Sequence, residues 1–322
     1  MYATTKVALR NIAFSTAFLT TFIACKYRPN TPGHGEKPTV SFKSVEGITF
    51  IEVSRRQTNG LSFNEYGYHL TPDWKLRFVS ADSAALYSPV KDAFFNFPLA
   101  LGTDSVFNIA HAFLKLKKMS KDSLVINLLE AQGDSIDINK SRVVMKLYSE
   151  DFIKNKLHTD ASVLQRATPQ DSAFVRKLVA KANTDIKKAF SASQPVQLIS
   201  KIPNVNVVKR KTKPSLLDNK YSTDDDYLTP TYDITINKAY QDFEYSFEAT
   251  VDSAGVWHYN KPLVPFMGDA DAEKNYIKVS TAIMNTYLKL YLTTKPGETL
   301  GMKHASTISV NVKGMVAPRK PD

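Results

Sequence analysis

One cysteine, six histidines and two short runs of acids are the residues of this 322-residue chain best suited to chemistry. A catalytic thiol needs a base beside it, and zinc needs ligands gathered at short, regular spacing. His34, His69, His111, His158, His258 and His304 form no i, i+4 pair. The sequence also carries no HExxH, CxxC, GxSxG, P-loop or GxGxxG pattern, so neither a metal nor a cofactor is expected. Asp224-Asp225-Asp226 and Asp269-x-Asp271-x-Glu273 supply hard oxygens. Both lack the glycine turn and distant bidentate acid of a calcium loop. The second set is expected at a helix start, where acids meet the positive end of the dipole. His111 is expected to be a packing or surface histidine. Lys209-Arg210-Lys211-Thr212-Lys213 is expected to be a solvated loop, with contact to anionic lipid or glycan as the alternative.

The single thiol, Cys25, has a distinctive setting. Lys6 and Arg10 precede an uncharged run from Ile12 to Ala24, and Lys26 and Arg28 follow the cysteine. This is the layout of a secretory leader, and thirteen residues are too few to span a bilayer as a helix. Phe22-Ile23-Ala24-Cys25 resembles a bacterial lipobox, with Ala24 as the small residue before the cysteine. The resemblance implies that residues 1–24 are removed as a signal peptide and that Cys25 carries the lipid that attaches the chain to a membrane. An uncleaved apolar anchor is the other reading. Residues 25–44, with three prolines and two glycines, then read as a tether.

Composition sets outer bounds. At 43% hydrophobic and 11% aromatic, the chain is long enough for two cored domains and too apolar to be disordered. With one cysteine no internal disulfide can form. The net charge of +11 favours acidic surfaces such as envelope polymers or anionic lipid, and an exported chain is not expected to meet nucleic acid.

The elements divide the chain further. Ile48–Val53, Trp74–Val79, Leu124–Leu129 and Val143–Tyr148 read as strands. Apolar residues at 106, 109, 110, 113, 114 and 116 have helical spacing, predicting a helix over Val106–Met119. Thr168-Pro169-Gln170-Asp171 predicts a capped helix start, and the stripe Phe174, Leu178, Ala182, Ile186, Phe190 extends it to residue 190. Alternation at 232–236, 243–251 and 308–312, with a turn at Asp252–Gly255, predicts a second β-rich region, and 276–292 fits helix and strand alike. The domains expected are 45–160, a helical connector 161–200, a β-rich α+β domain 201–317 and a tail 318–322.

The order of parts in residues 47–152 resembles a degenerate FKBP-type peptidyl-prolyl isomerase domain of the kind carried by Bacteroidota lipoproteins. Phe97-Pro98-Leu99-Ala100-Leu101-Gly102 is similar to the Phe-x-Leu-Gly step of that family. Val106-Phe107 stands at its Val-Ile, and Met119-Ser120-Lys121-Asp122-Ser123 at its Met-x-x-Gly-Asp turn. The resemblance implies an α+β fold, an antiparallel sheet with one helix. It also implies an apolar groove lined by Tyr87, Phe97, Val106, Phe107 and Phe113; the other reading makes all five plain core. The aspartate of the family's Phe-Asp loop has no counterpart, and Ala131–Lys140 lacks the tyrosine-bearing loop. The expectation is therefore a membrane-anchored envelope lipoprotein with a non-catalytic binding or chaperone domain, facing the periplasm. Its expected partners are envelope proteins or proline-containing peptides. An active isomerase and a structural subunit of an envelope complex are the alternatives.

Overall fold

The computed structural model describes residues 40–110, 112–132, 135–137, 141, 143–211 and 228–316. Cys25, the leader, most of the tether, His34, His111, Asp224–Asp226 and the tail 318–322 lie outside the described residues.

The first half is an eight-stranded antiparallel barrel. Its strands are β1 (Thr49–Gln57), β2 (Lys75–Ser80), β3 (Ser83–Ser88), β4 (Ala93–Leu101), β5 (Val106–Ile109), β6 (Ala112–Met119), β7 (Ser123–Leu128) and β10 (Val143–Ser149). Each pairs with its neighbour in the chain, and β10 closes back on β1. A small hairpin, β8 (Glu130–Gln132) with β9 (Ser135–Asp137), interrupts the last connection. Closure removes the exposed strand edges that would template aggregation.

This overturns the FKBP-like α+β expectation. The expected helix over 106–119 is the β5–β6 hairpin, with Phe107 opposite Leu114 and Asn108 opposite Phe113. Two phase shifts imitate helical spacing. Ala110 adopts φ 48° in the turn, and a bulge falls between Leu116 and Lys118. Inward positions therefore run Phe107, Ile109, then Ala112, Leu114, Leu116, then Met119, rather than in unbroken alternation.

Side chains fill the interior. Phe50, Leu76, Phe78, Ala84, Leu99, Phe107, Ile109, Leu114, Leu124, Ile126, Met145 and Leu147 form one buried cluster. Val40, Phe42 and Val45, around the 3-10 turn Lys43–Val45, join it and close one end. The Phe42 ring stacks on Phe78 at 3.9 Å and meets Phe107 edge-on at 5.0 Å. An eight-stranded barrel has room for side chains or one small ligand, and here side chains occupy it.

After the barrel come a π-helical turn (Phe152–Lys156), α1 (Ala161–Leu164) and α2 (Pro169–Thr184). Thr168 and Asp171 form a reciprocal capping box at the start of α2. The helix stops before residue 190 because Asp185 turns to extended backbone and caps the next short turn with its own side chain.

The second half is built on a five-stranded mixed sheet, ordered β12 (Val205–Lys209), β13 (Thr231–Asn237), β19 (Ser306–Met315), β14 (Phe243–Val251), β15 (Trp257–Pro262). One face carries Tyr232, Ile234, Phe247, Ala249, Ile308 and Val310. Helix α3 (Ala270–Ile283) covers it, continuing through a π-helical turn to Tyr291. Asp269 caps α3, with Asp271 and Glu273 in its first turn. Paired strands β11 (Gln197–Ser200) and β16 (Leu292–Lys295), and β17 (Gly297–Thr299) and β18 (Met302–His304), complete the region. Among the described residues no helix is long and apolar enough to cross a membrane.

Candidate functional site

Half-buried apolar residues rim both ends of the barrel, with Ile48, Leu101, Leu116 and Met119 near Phe42 and a second set at the end away from it. Antiparallel register puts Leu86 opposite Phe95 and Leu128 opposite both Leu114 and Val143 near the strand ends there. Leu86, Phe97, Leu128 and Val143 are only half-buried against the core. Ile109, Leu114, Ile126 and Met145 below them are sealed. Phe95 is 41% exposed on the rim, and Val90 in the β3–β4 turn is 79% exposed. The result is a shallow apolar mouth over a solid floor.

One wall of the mouth is charged. Glu52 and Arg55 stand three apart, which in a regular strand would aim them at opposite faces. A bulge in β1 between Glu52 and Ser54 turns both inward, opposite Leu147 and Met145. Arg55 grips Glu52 with two bonds, Nε to Oε1 at 2.8 Å and Nη2 to Oε2 at 2.7 Å, and reaches Asp73 at 2.8 Å. Glu52 Oε2 also accepts the backbone N–H groups of Asp73 and Trp74, both at 3.1 Å. Burial pushes the Glu52 carboxyl up against the pull of Arg55. The Arg55 guanidinium lies 6.0 Å from the centre of the Trp74 ring. This cluster pins the point where the long β1–β2 loop re-enters the sheet.

The next residue does the same work on the outside. Arg56 Nη1 donates to Asp171 Oδ2 at 2.8 Å and to Gly60 O at 2.8 Å. Asp171, fully buried, also accepts Ser62 N at 2.8 Å, Thr168 N at 2.9 Å and Thr168 Oγ1 at 2.8 Å. These donors outweigh the cost of burial and hold the carboxyl well below the usual range. The loop continues to Gly67 (φ 81°), where a Cβ would collide with the Ser191 carbonyl and the Phe190 ring. Phe190 in turn stacks on the buried His304 at 3.7 Å. His304 Nδ1–H donates to Ala305 O at 3.0 Å and Nε2 accepts from Thr299 at 2.9 Å, the neutral tautomer, and burial pulls its pKa down. Glu52, Asp171 and His304 are thus saturated by contacts that hold the fold.

The five residues expected around a groove are not brought together. Phe107 is core near the closed end, and Phe97 faces inward at the mouth. Val106, paired with Lys115, and Phe113, paired with Asn108, face outward. Tyr87 also faces outward, paired with Phe94, and donates to Asp92. The helix expected to form a wall of the isomerase groove is the β5–β6 hairpin. Sequence reading missed Glu52, Arg55 and Trp74; with Ser54, Arg56 and Gln57 beside the pair, β1 carries no pattern that marks it. Among the described residues no group of three or more His, Cys, Asp or Glu is placed to hold a metal. A polar surface cleft of about 210 Å³ in the second half is lined by Gln194, Gln197, Lys295 and Glu298.

No family model matches the chain, and no curated protein matches it. Among solved structures, a lipocalin, the siderocalin Ex-FABP, described as functioning through dual ligand specificities, is similar to this chain. The likeness covers 44% of this chain and 83% of that one, at 18% identity and a TM-score of 0.22.

Proposed function

We propose that this protein is a lipid-anchored, non-catalytic binding protein of the bacterial cell envelope, which holds an apolar group of an envelope partner at the mouth of its barrel. The anchor rests on Cys25 and the leader before it. The binding role rests on one observation, the ring of half-buried Leu86, Phe97, Leu128 and Val143 with Phe95 exposed beside it. An apolar rim over a filled core suits a side chain or chain terminus that covers the mouth, because the floor leaves no depth for a ligand to sink into. The saturated carboxylates and histidine support a binding role over catalysis, since a general acid or base must have a free position toward its substrate.

Two measurements test this. Radiolabelled palmitate is expected to label the wild type and leave Cys25→Ala unlabelled; no label on the wild type ends the anchor reading. Titration with anilinonaphthalene sulfonate is expected to show saturable energy transfer from Trp74, lost in Trp74→Phe and weakened several-fold in Phe95→Asp. Unchanged affinity in Phe95→Asp would remove the mouth as the site.

A further inference from the structure

The closed end of the barrel carries lysines that the binding mouth does not use. A strict strand would aim Lys117 and Lys118 to opposite faces. The β6 bulge instead places both between inward Leu116 and Met119, so both are exposed on the outer wall. Lys121 follows in the β6–β7 turn, and Lys146 is exposed on neighbouring β10, opposite Val125. The π-helical turn adds Lys154, and its Lys156 ties back to Asp122 of the β6–β7 turn at 2.8 Å. Among the described residues no carboxylate lies within 4.0 Å of Lys117, Lys118, Lys121, Lys146 or Lys154. The nearby acids are engaged: Asp104 by Lys115, Asp122 by Lys156, and Asp151 by the Asn155 amide. Glu46 and Asp82 sit on other loops of the same end.

The chain leads to this same end. Val40 and Phe42 plug it, and Gly47 N donates to Phe78 O beside the plug. Cys25 lies fifteen residues before Val40, a reach of at most about 50 Å at about 3.5 Å per residue. Given the lipid-anchor reading, on which this inference rests, the bilayer lies on the plugged side of the barrel. The geometry points to a docking face: we infer that Lys117, Lys118, Lys121, Lys146 and Lys154 seat the closed end on an anionic membrane surface. The mouth is thereby turned away from the bilayer. A lysine near an anionic bilayer strengthens binding about fivefold, and the effect fades within a Debye length of about 10 Å at 0.1 M salt.

The test uses the mature chain, residues 25–322, bearing Cys25→Ala, so that neither lipid nor leader contributes, sedimented with phosphatidylcholine vesicles or with vesicles that also contain phosphatidylglycerol. Partition is expected to rise with phosphatidylglycerol and fall with salt. Replacing Lys117, Lys118 and Lys121 by Gln is expected to reduce it about a hundredfold. Replacing the exposed Lys177, Lys181 and Lys187 by Gln is expected to leave it unchanged. Equal losses in the two triple variants would make the effect one of overall charge and overturn the proposal. Indifference to phosphatidylglycerol would overturn it too, as would equally tight binding to heparin. Palmitate labelling reports on the anchor independently, so the two failures are separable.

Discussion

Asp171 links the barrel to everything after it, and replacing it is expected to loosen that link measurably. Asp171→Ala removes the acceptor for four donors at once: Ser62 N, Thr168 N, Thr168 Oγ1 and Arg56 Nη1. The lost capping box accounts for about 1 kcal/mol. The buried Ser62 N–H, left without an acceptor, adds about 1–3 kcal/mol. Arg56 keeps Gly60 O and Ser54 Oγ and is partly exposed, so its loss falls below the 3–5 kcal/mol typical of a broken buried pair. A cost of about 4 kcal/mol follows, or about 10 °C in melting temperature for a unit of this size. Asp171→Asn keeps an acceptor oxygen and is expected to cost about half as much. Thermal unfolding by circular dichroism, with Arg56→Ala and the double variant, completes a cycle. The pH dependence has a definite sign. The folded carboxyl titrates below its unfolded value, so its contribution is complete above about pH 4 and is lost as pH falls further. The gap between wild type and Asp171→Asn should thus hold from pH 7 to about 4 and then close. A cost under about 1 kcal/mol for Asp171→Ala, with Arg56→Ala additive within about 0.5 kcal/mol, would refute the clamp.

Three further outcomes are expected. Phe107→Ala should cost about 3–5 kcal/mol by opening a core cavity, whereas Tyr87→Ala, Val106→Ala and Phe113→Ala should each cost about 1 kcal/mol or less; equal costs in chemical denaturation would contradict the barrel register. His304 is neutral in the fold with a lowered pKa, so its contribution is complete above about pH 6.5 and declines as pH falls; His304→Gln should flatten the fall in melting temperature between pH 7 and 5. Gly67→Ala should destabilise by more than about 2 kcal/mol and speed chymotryptic cleavage in the β1–β2 loop, which offers Phe63, Tyr66 and Tyr68, and wild-type cleavage rates would argue against the close approach to Ser191.

The strands that were legible in the sequence are those whose alternation survives intact. Leu124, Ile126 and Leu128 on β7 pair in step with Leu147, Met145 and Val143 on β10. The start of α2 was legible because Thr168 and Asp171 both carry the side chains a capping box requires. Errors gather where backbone irregularities reset the phase. A turn residue at positive φ and a bulge converted two strands into an apparent helix at 106–119. The π-helical turn Met284–Leu288 shifts the apolar stripe, which left 276–292 ambiguous between helix and strand. The charged wall of the mouth was hidden for the same reason. Glu52 and Arg55 share a face only because of the β1 bulge, and nothing in their spacing announces one.

The same packing separates this barrel from one that encloses a ligand, and a single ring decides it. Phe42 comes from outside the sheet, yet lies 3.9 Å from Phe78 and 5.0 Å from Phe107, occupying interior that the strands do not fill themselves. Phe42→Ala should therefore leave a cavity bounded by Phe78, Phe107 and their neighbours, at a cost of about 3–5 kcal/mol. Because the lining is apolar, the space should stay dry and accept benzene or indole. A ligand that binds only the folded state stabilises it by RT ln(1 + [L]/Kd), about 2.7 kcal/mol at a hundredfold excess over Kd. Benzene should thus restore much of the lost melting temperature in Phe42→Ala and leave the wild type unaffected. If benzene raises the melting temperature of the wild type as well, the barrel already holds an open chamber, and the solid floor beneath the mouth is wrong.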